Sequence, residues 1–219
     1  MKIAITGHSS GIGSSLESIL SLTTNYEIRG YSKSNGWNIA QDDGELIIQE
    51  LIDYDPDVLF NNAYYPNIQN KICETLYTKW SDRDKIIINT GSISGYLSEM
   101  LGDDESDYIN DKKKMSEFCI RSSFNYPWNN RSRVYNISFG FVNTPLVTNT
   151  TKQINKDNMI DTDEAAHMLI ELMETKPYHI VEQVINCNFT DVNEMQNHFQ
   201  VATRNVLKHI VRSNKNKST

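Results

Sequence analysis

The chain has 219 residues, is 38% hydrophobic and 22% charged, and carries a formal net charge of −7. That is the size and composition of one globular domain able to bury a sizeable core. The acidic balance excludes a protein held to nucleic acid or an anionic membrane by bulk positive charge, and no apolar run reaches the ~18 residues of a membrane-spanning helix.

In chain order, Lys2–Thr6 reads as a strand and not as a leader, so a cytoplasmic protein is expected. Further strands are predicted at Glu27–Tyr31, Val58–Asn61, Lys85–Asn89, Arg133–Ser138 and Val181–Cys187. Their apolar runs are nearly continuous, as in Ile86-Ile87-Ile88, which suits strands covered on both faces. Helical periodicity lies between them, at 12–22, 43–53, 67–80, 108–124 and 162–174. This alternation predicts an α/β fold, a Rossmann-type doubly wound parallel sheet in a three-layer α/β/α arrangement. Residues 143–160 read as a polar loop. The stretch 191–213 reads as an added amphipathic helix, with Val192, Met195, Phe199, Ala202, Val206 and Ile210 at spacings of three and four. The expected organisation is one domain over 1–190, the appended helix 191–213 and a disordered tail 214–219.

Directly after the first strand stands Thr6-Gly7-His8-Ser9-Ser10-Gly11-Ile12-Gly13, leading into a helix. Glycines at 7, 11 and 13 allow a tight turn, a close backbone approach to a pyrophosphate and close packing of helix on strand, while the N–H groups opening the helix meet negative charge. Cys73, Cys119 and Cys187 lack CxxC spacing and are expected as reduced thiols. The five histidines, His8, His167, His179, His198 and His209, show no ligand spacing, so no metal site is expected.

Four more stretches follow in order: Asn61-Asn62-Ala63, Asn89-Thr90-Gly91-Ser92, Tyr108-x3-Lys112, and Arg133 through Pro145. With the glycine run they resemble the single-domain short-chain dehydrogenases/reductases, whose signatures are TGxxxGIG, NNAG, the serine strand, YxxxK and RVNxxxPGxxxT. The resemblance extends from residue 1 to about 188 and departs at Tyr64, which replaces a glycine, and at Phe139, which replaces a proline.

The resemblance implies a dinucleotide along Gly7, Ser9, Ser10, Gly11, Ile12 and Gly13, with Asn62 and Ala63 also on the cofactor and Gly140, Val142 and Thr144 in the segment that cups the nicotinamide. Tyr31 stands where relatives that use NAD carry an acid, and no carboxylate follows nearby; Ser32 and Lys33 can donate to a 2′-phosphate instead. NADP(H) is therefore expected over NAD(H), with Asn38 and Ile39 beside the adenine. Tyrosine ordinarily ionises near ~10, and a lysine at i+4 shares its helix face. By resemblance Tyr108 is the general acid/base, Lys112 lowers its pKa and holds the ribose, and Ser92 orients the carbonyl oxygen. A relay asparagine comes from Asn67-Ile68-Gln69-Asn70, Asn67 being slightly favoured over Asn70.

The substrate side is reduced. An acidic insert, Tyr96 through Asp107, precedes Tyr108, and the segment after Thr144 shrinks to Pro145–Asp161. The expectation is an NADP-dependent oxidoreductase interconverting a ketone or aldehyde and an alcohol, similar to beta-ketoacyl carrier-protein reductases and carbonyl reductases. Two alternatives stay open: a non-catalytic dinucleotide-binding regulatory or scaffold protein, and an enzyme of sugar-nucleotide or pteridine metabolism. The resemblance also implies self-association as a dimer or tetramer, with the 191–213 helix adding contacts.

Overall fold

The computed structural model describes residues 1–96, 107–125, 128–150, 156–174 and 182–185. The appended helix at 191–213, the tail at 214–219, Cys187 and most of the insert before Tyr108 lie outside the described residues. Six strands, β1 (Lys2–Thr6), β2 (Glu27–Tyr31), β3 (Val58–Asn61), β4 (Ile86–Ser92), β5 (Arg133–Phe139) and β6 (Glu182–Ile185), form one sheet in the order β2-β1-β3-β4-β5-β6. Every pairing is parallel. The doubly wound sheet expected from the alternation is present, and its order reverses between β1 and β3, the point at which open α/β sheets place their ligands.

The alternation of side chains along each strand divides the core in two. On one face Ile3, Ile5, Val58, Phe60, Ile86, Ile88 and Ile137 pack with Leu16 and Leu20 of α1 (Gly11–Thr23) and with Leu169 and Leu172 of α6 (Thr162–Glu174). On the other, Ala4, Leu59, Ile87 and Val134 meet three helices. These are α2 (Glu45–Tyr54), α3 (Ile68–Lys79) and α4 (Asp107–Ser123). Cys73 and Cys119 are buried free thiols in that second core. No helix among the described residues is long and apolar enough to cross a membrane.

Two local expectations are corrected. β4 runs on to Ser92, three residues past the predicted end, because its pairing with β5 continues through Ser92↔Phe139. The segment 143–160 is not simply a loop: it contains the short helix α5 (Pro145–Thr150). Thr144 opens that helix, its Oγ1 accepting from Val147 N–H at 3.3 Å. Pro145 stands next, at the first helical position, where a missing N–H costs nothing. Polar composition concealed these two start signals.

Candidate active site

At the end of β1 the chain turns at Gly7, whose φ of +73° lies in the left-handed region that glycine enters without a Cβ penalty. Gly7 N–H donates to Tyr31 O at 2.7 Å, so the turn lies directly against the end of β2. Gly13 brings α1 down onto this turn: a Cβ there would stand 2.1 Å from Gly7 O. Ser10 caps α1, yet its hydroxyl makes no cap hydrogen bond and no acidic side chain occupies the first helical turn. The helix start thus presents uncommitted N–H groups and the positive end of its dipole.

Thr6 fastens β3 beside this turn. Its Oγ1 accepts from Asn62 N–H at 2.9 Å and Ala63 N–H at 3.0 Å. The Asn62 carboxamide spans the strand ends, donating to Thr6 O at 3.2 Å and accepting from Thr90 Oγ1 at 3.1 Å.

A cavity of about 320 Å³ opens here, over the ends of β1, β3, β4 and β5. It brings together twelve of the sequence-predicted residues: Gly7, Ser10, Gly11, Ile12, Asn62, Ala63, Ser92, Tyr108, Lys112, Gly140, Val142 and Thr144. Ser92 is the last residue of β4. Its hydroxyl lies 2.9 Å from Ser94 Oγ. Burial pushes Tyr108 above its usual range, while the nearby Ser92 hydroxyl pulls the other way, so the phenol stays protonated through neutral pH. Lys112, one turn along α4, is 3% exposed, with Nζ 5.6 Å from the Tyr108 ring centroid. Burial lowers it to about 7, opposed by the nearby charge of Asp111.

The other predicted residues are not brought to the cavity. Ser9 is exposed on the glycine loop, and Gly13 is spent on helix packing. The Tyr31 side chain is turned into the core, edge-on to Trp37 and Tyr54, with its hydroxyl 3.4 Å from Glu50 Oε1. Ser32 starts a 3₁₀ turn that holds Lys33. Ile39 is buried in the second core. Asn38 borders a separate groove with Trp37, Gln49 and Glu50. Asn67 contributes its backbone, N–H donating to Asp111 Oδ2 at 2.7 Å; Asn70 donates through Nδ2 to Asp111 O at 3.0 Å.

Sequence reasoning passed over several residues here. Tyr64, noted only as a departure, lines the cavity with its ring 4.9 Å from that of Tyr108 and nearly perpendicular to it. Its hydroxyl donates to Asp111 Oδ2 at 3.0 Å, and burial raises it far above the usual tyrosine range. The side chain touching Lys112 is that of Gln69, whose Oε1 accepts from Nζ at 2.7 Å. A signal existed for both Gln69 and Asp111. Gln69 shares a helix face with Cys73 and Leu76, and Asp111 with Met115, and a polar residue on a buried stripe calls for a partner.

No family model matches the chain, and no curated protein matches it in sequence. Solved structures do match in shape. A 3-alpha-hydroxysteroid dehydrogenase from a Pseudomonas species, complexed with NADH, aligns with a TM-score of 0.68 at 16% identity, over 85% of this chain and 95% of the other. A short chain dehydrogenase from Burkholderia cenocepacia, in complex with NADP, aligns with a TM-score of 0.64 at 15% identity, over 84% and 86%. With its parallel six-stranded sheet, its glycine turn after β1 and its cavity at the strand ends, the chain has the fold of the short-chain dehydrogenases/reductases.

Proposed function

We propose that the chain is a short-chain dehydrogenase/reductase that binds a nicotinamide dinucleotide and interconverts a ketone or aldehyde with its alcohol. The observation that carries this reading is the convergence of Ser92, Tyr108 and Lys112 on the cavity opened by the glycine turn. The turn fits a pyrophosphate: the first turn of α1 is free of acidic side chains and the Ser10 hydroxyl is not spent on a cap. Gly7, Ser10, Gly11 and Ile12 would hold the pyrophosphate, Lys112 the ribose, and Gly140, Val142 and Thr144 the nicotinamide. The two structural neighbours, one with NADH and one with NADP, support this cofactor class.

A bound nicotinamide supplies or takes up the hydride. Tyr108, protonated at neutral pH, donates a proton to the carbonyl oxygen in reduction and accepts it back in oxidation. Ser92, lining the same cavity as Tyr108, directs its hydroxyl at the same oxygen. The Lys112 ammonium stabilises the phenolate left on Tyr108.

We also infer a preference for NADP(H). The stretch Ser32-Lys33-Ser34-Asn35-Gly36 carries no carboxylate and follows β2 next to the glycine turn. An acid there would repel a 2′-phosphate; a lysine attracts it. Fluorescence titration should give tighter binding of NADPH than NADH, and Lys33→Ala should erode the difference by about 1–2 kcal/mol, the scale of a charge-assisted hydrogen bond. Equal affinities in the unmodified chain would overturn the preference. Consumption of NADPH across a panel of ketones and aldehydes tests the activity itself.

We place self-association on the end of α4, where Ile120, Phe124 and Trp128 are exposed and a second copy would cover them. Light scattering at micromolar concentration should give a dimer or tetramer mass, reduced by Phe124→Ser with Trp128→Ser; a monomer mass for the unmodified chain would refute the assignment.

A further inference from the structure

Gln69 lies in the first turn of α3 and is 2% exposed. Its Nε2 donates to Asn61 O at 2.7 Å and to Thr90 O at 3.2 Å, which leaves Oε1 to face Lys112 Nζ at 2.7 Å. An amide held in this way cannot turn over. Flipped, it would set its oxygen against two carbonyl oxygens and its NH₂ against an ammonium. The backbone is fastened too, because Gln69 O accepts from Asn61 Nδ2 at 2.9 Å and Asn61 Nδ2 also donates to Asn89 Oδ1 at 2.8 Å. Lys112 completes the arrangement by donating to Thr90 O at 2.8 Å.

Both acceptors of Lys112 are neutral. Among the described residues, the titratable groups facing it are Tyr64 and Tyr108, with rings 5.1 and 5.6 Å from Nζ, and its helix neighbour Asp111. The Asp111 carboxylate is engaged by the Tyr64 hydroxyl and Asn67 N–H.

We propose that Gln69 is a positioning residue, whose locked carboxamide holds the Lys112 ammonium beside the Tyr64 and Tyr108 rings without cancelling its charge. This rests on the dehydrogenase/reductase reading. A carboxylate at the same distance would bind the ammonium more strongly but oppose its field at Tyr108, where a phenolate must be stabilised. An apolar side chain would leave a buried cation with one acceptor fewer, and loss of a hydrogen bond to the charged form favours the neutral amine. Burial already brings Lys112 to about 7, so the loss acts at neutral pH.

The full chain carrying Gln69→Met or Gln69→Glu tests this, with turnover measured against pH and the Lys112 side chain followed by ¹³C NMR, its signal assigned through Lys112→Met. Gln69→Met should lower kcat at pH 7 at least ~10-fold with little change in KM for NADPH, and activity should partly recover at lower pH, where the lysine regains its proton. Its Lys112 titration should move to lower pH. Gln69→Glu should move that titration to higher pH and depress kcat without recovery in acid. Thermal unfolding checks that each variant folds; should Gln69→Met not fold, Gln69→Glu, which keeps the size and the acceptor toward Lys112 and loses the Nε2 donor, carries the same test. An unmoved Lys112 titration in the folded variants overturns the inference whether or not turnover is seen. A normal kcat and pH profile in Gln69→Met, beside an inactive Tyr108→Phe, overturns it while the functional reading stands. Shifted titrations in a chain that reduces nothing sink the functional reading and leave the hold of Gln69 on Lys112 in place.

Discussion

Tyr108→Phe is expected to lower turnover by at least ~10²-fold while NADPH binding changes little. The substitution keeps the ring that packs against Tyr64 and removes only the hydroxyl. The glycine turn at Gly7–Gly13, the proposed phosphate cradle, is untouched, so fluorescence titration should report near-normal affinity beside the lost turnover. Retained turnover would refute the assignment of the proton donor.

The pH profile follows from the same pair. Tyr108 is raised above its ordinary range and stays protonated, whereas Lys112 is lowered to about 7. The kcat/KM for carbonyl reduction reports groups of the free protein and should fall as pH rises past about 7, when the ammonium discharges. Stability responds in the opposite sense. Lys112 binds its proton less tightly folded than unfolded, so between about 7 and 10.5 the unfolded chain holds more protons. Stability from this group rises with pH across that window and is lost as pH falls toward 7. Lys112→Met should remove this component from denaturant unfolding measured at pH 7 and pH 9.

Gly13→Ala carries the other large expected effect. The added Cβ would stand 2.1 Å from Gly7 O, 2.7 Å from Gly7 C and 2.9 Å from Asn62 Nδ2. Two of these atoms are backbone and cannot rotate away, so α1 must lift off the turn. A destabilisation of about 3 kcal/mol, the upper range of overpacking, should accompany a loss of cofactor affinity, because the same turn presents the N–H groups of the proposed cradle. Denaturant unfolding and NADPH titration measure the two effects separately. Normal values for both would show that the turn and the helix are not coupled as described.

Much of this architecture could be read from local sequence. Near-continuous apolar runs locate the parallel strands because both sheet faces are covered, and periods of three and four locate α1 through α4. The glycine run announces the tight turn and the close packing of α1 because their demands are steric and lie within a few residues. The spacing of Tyr108 and Lys112 could be read because one helical turn carries both.

Tertiary packing decided the rest. Tyr31 illustrates the reason: the strand period of two sets Gly30 and Ser32 against Tyr31, but only docking of α2 determines that the tyrosine faces the core. Gln69 and Lys112 are 43 positions apart and meet only when α3 and α4 pack on the same sheet face. Tyr64 becomes a cavity wall because Asp111 on α4 holds its hydroxyl from 47 positions away. The sequence by itself determined the order of elements, the glycine turn after β1 and the one-turn spacing of Tyr108 and Lys112, all encoded over short distances. Which side chain faces the core, which acceptor holds the lysine and what walls the cavity were decided by contacts between distant segments, which no local pattern encodes.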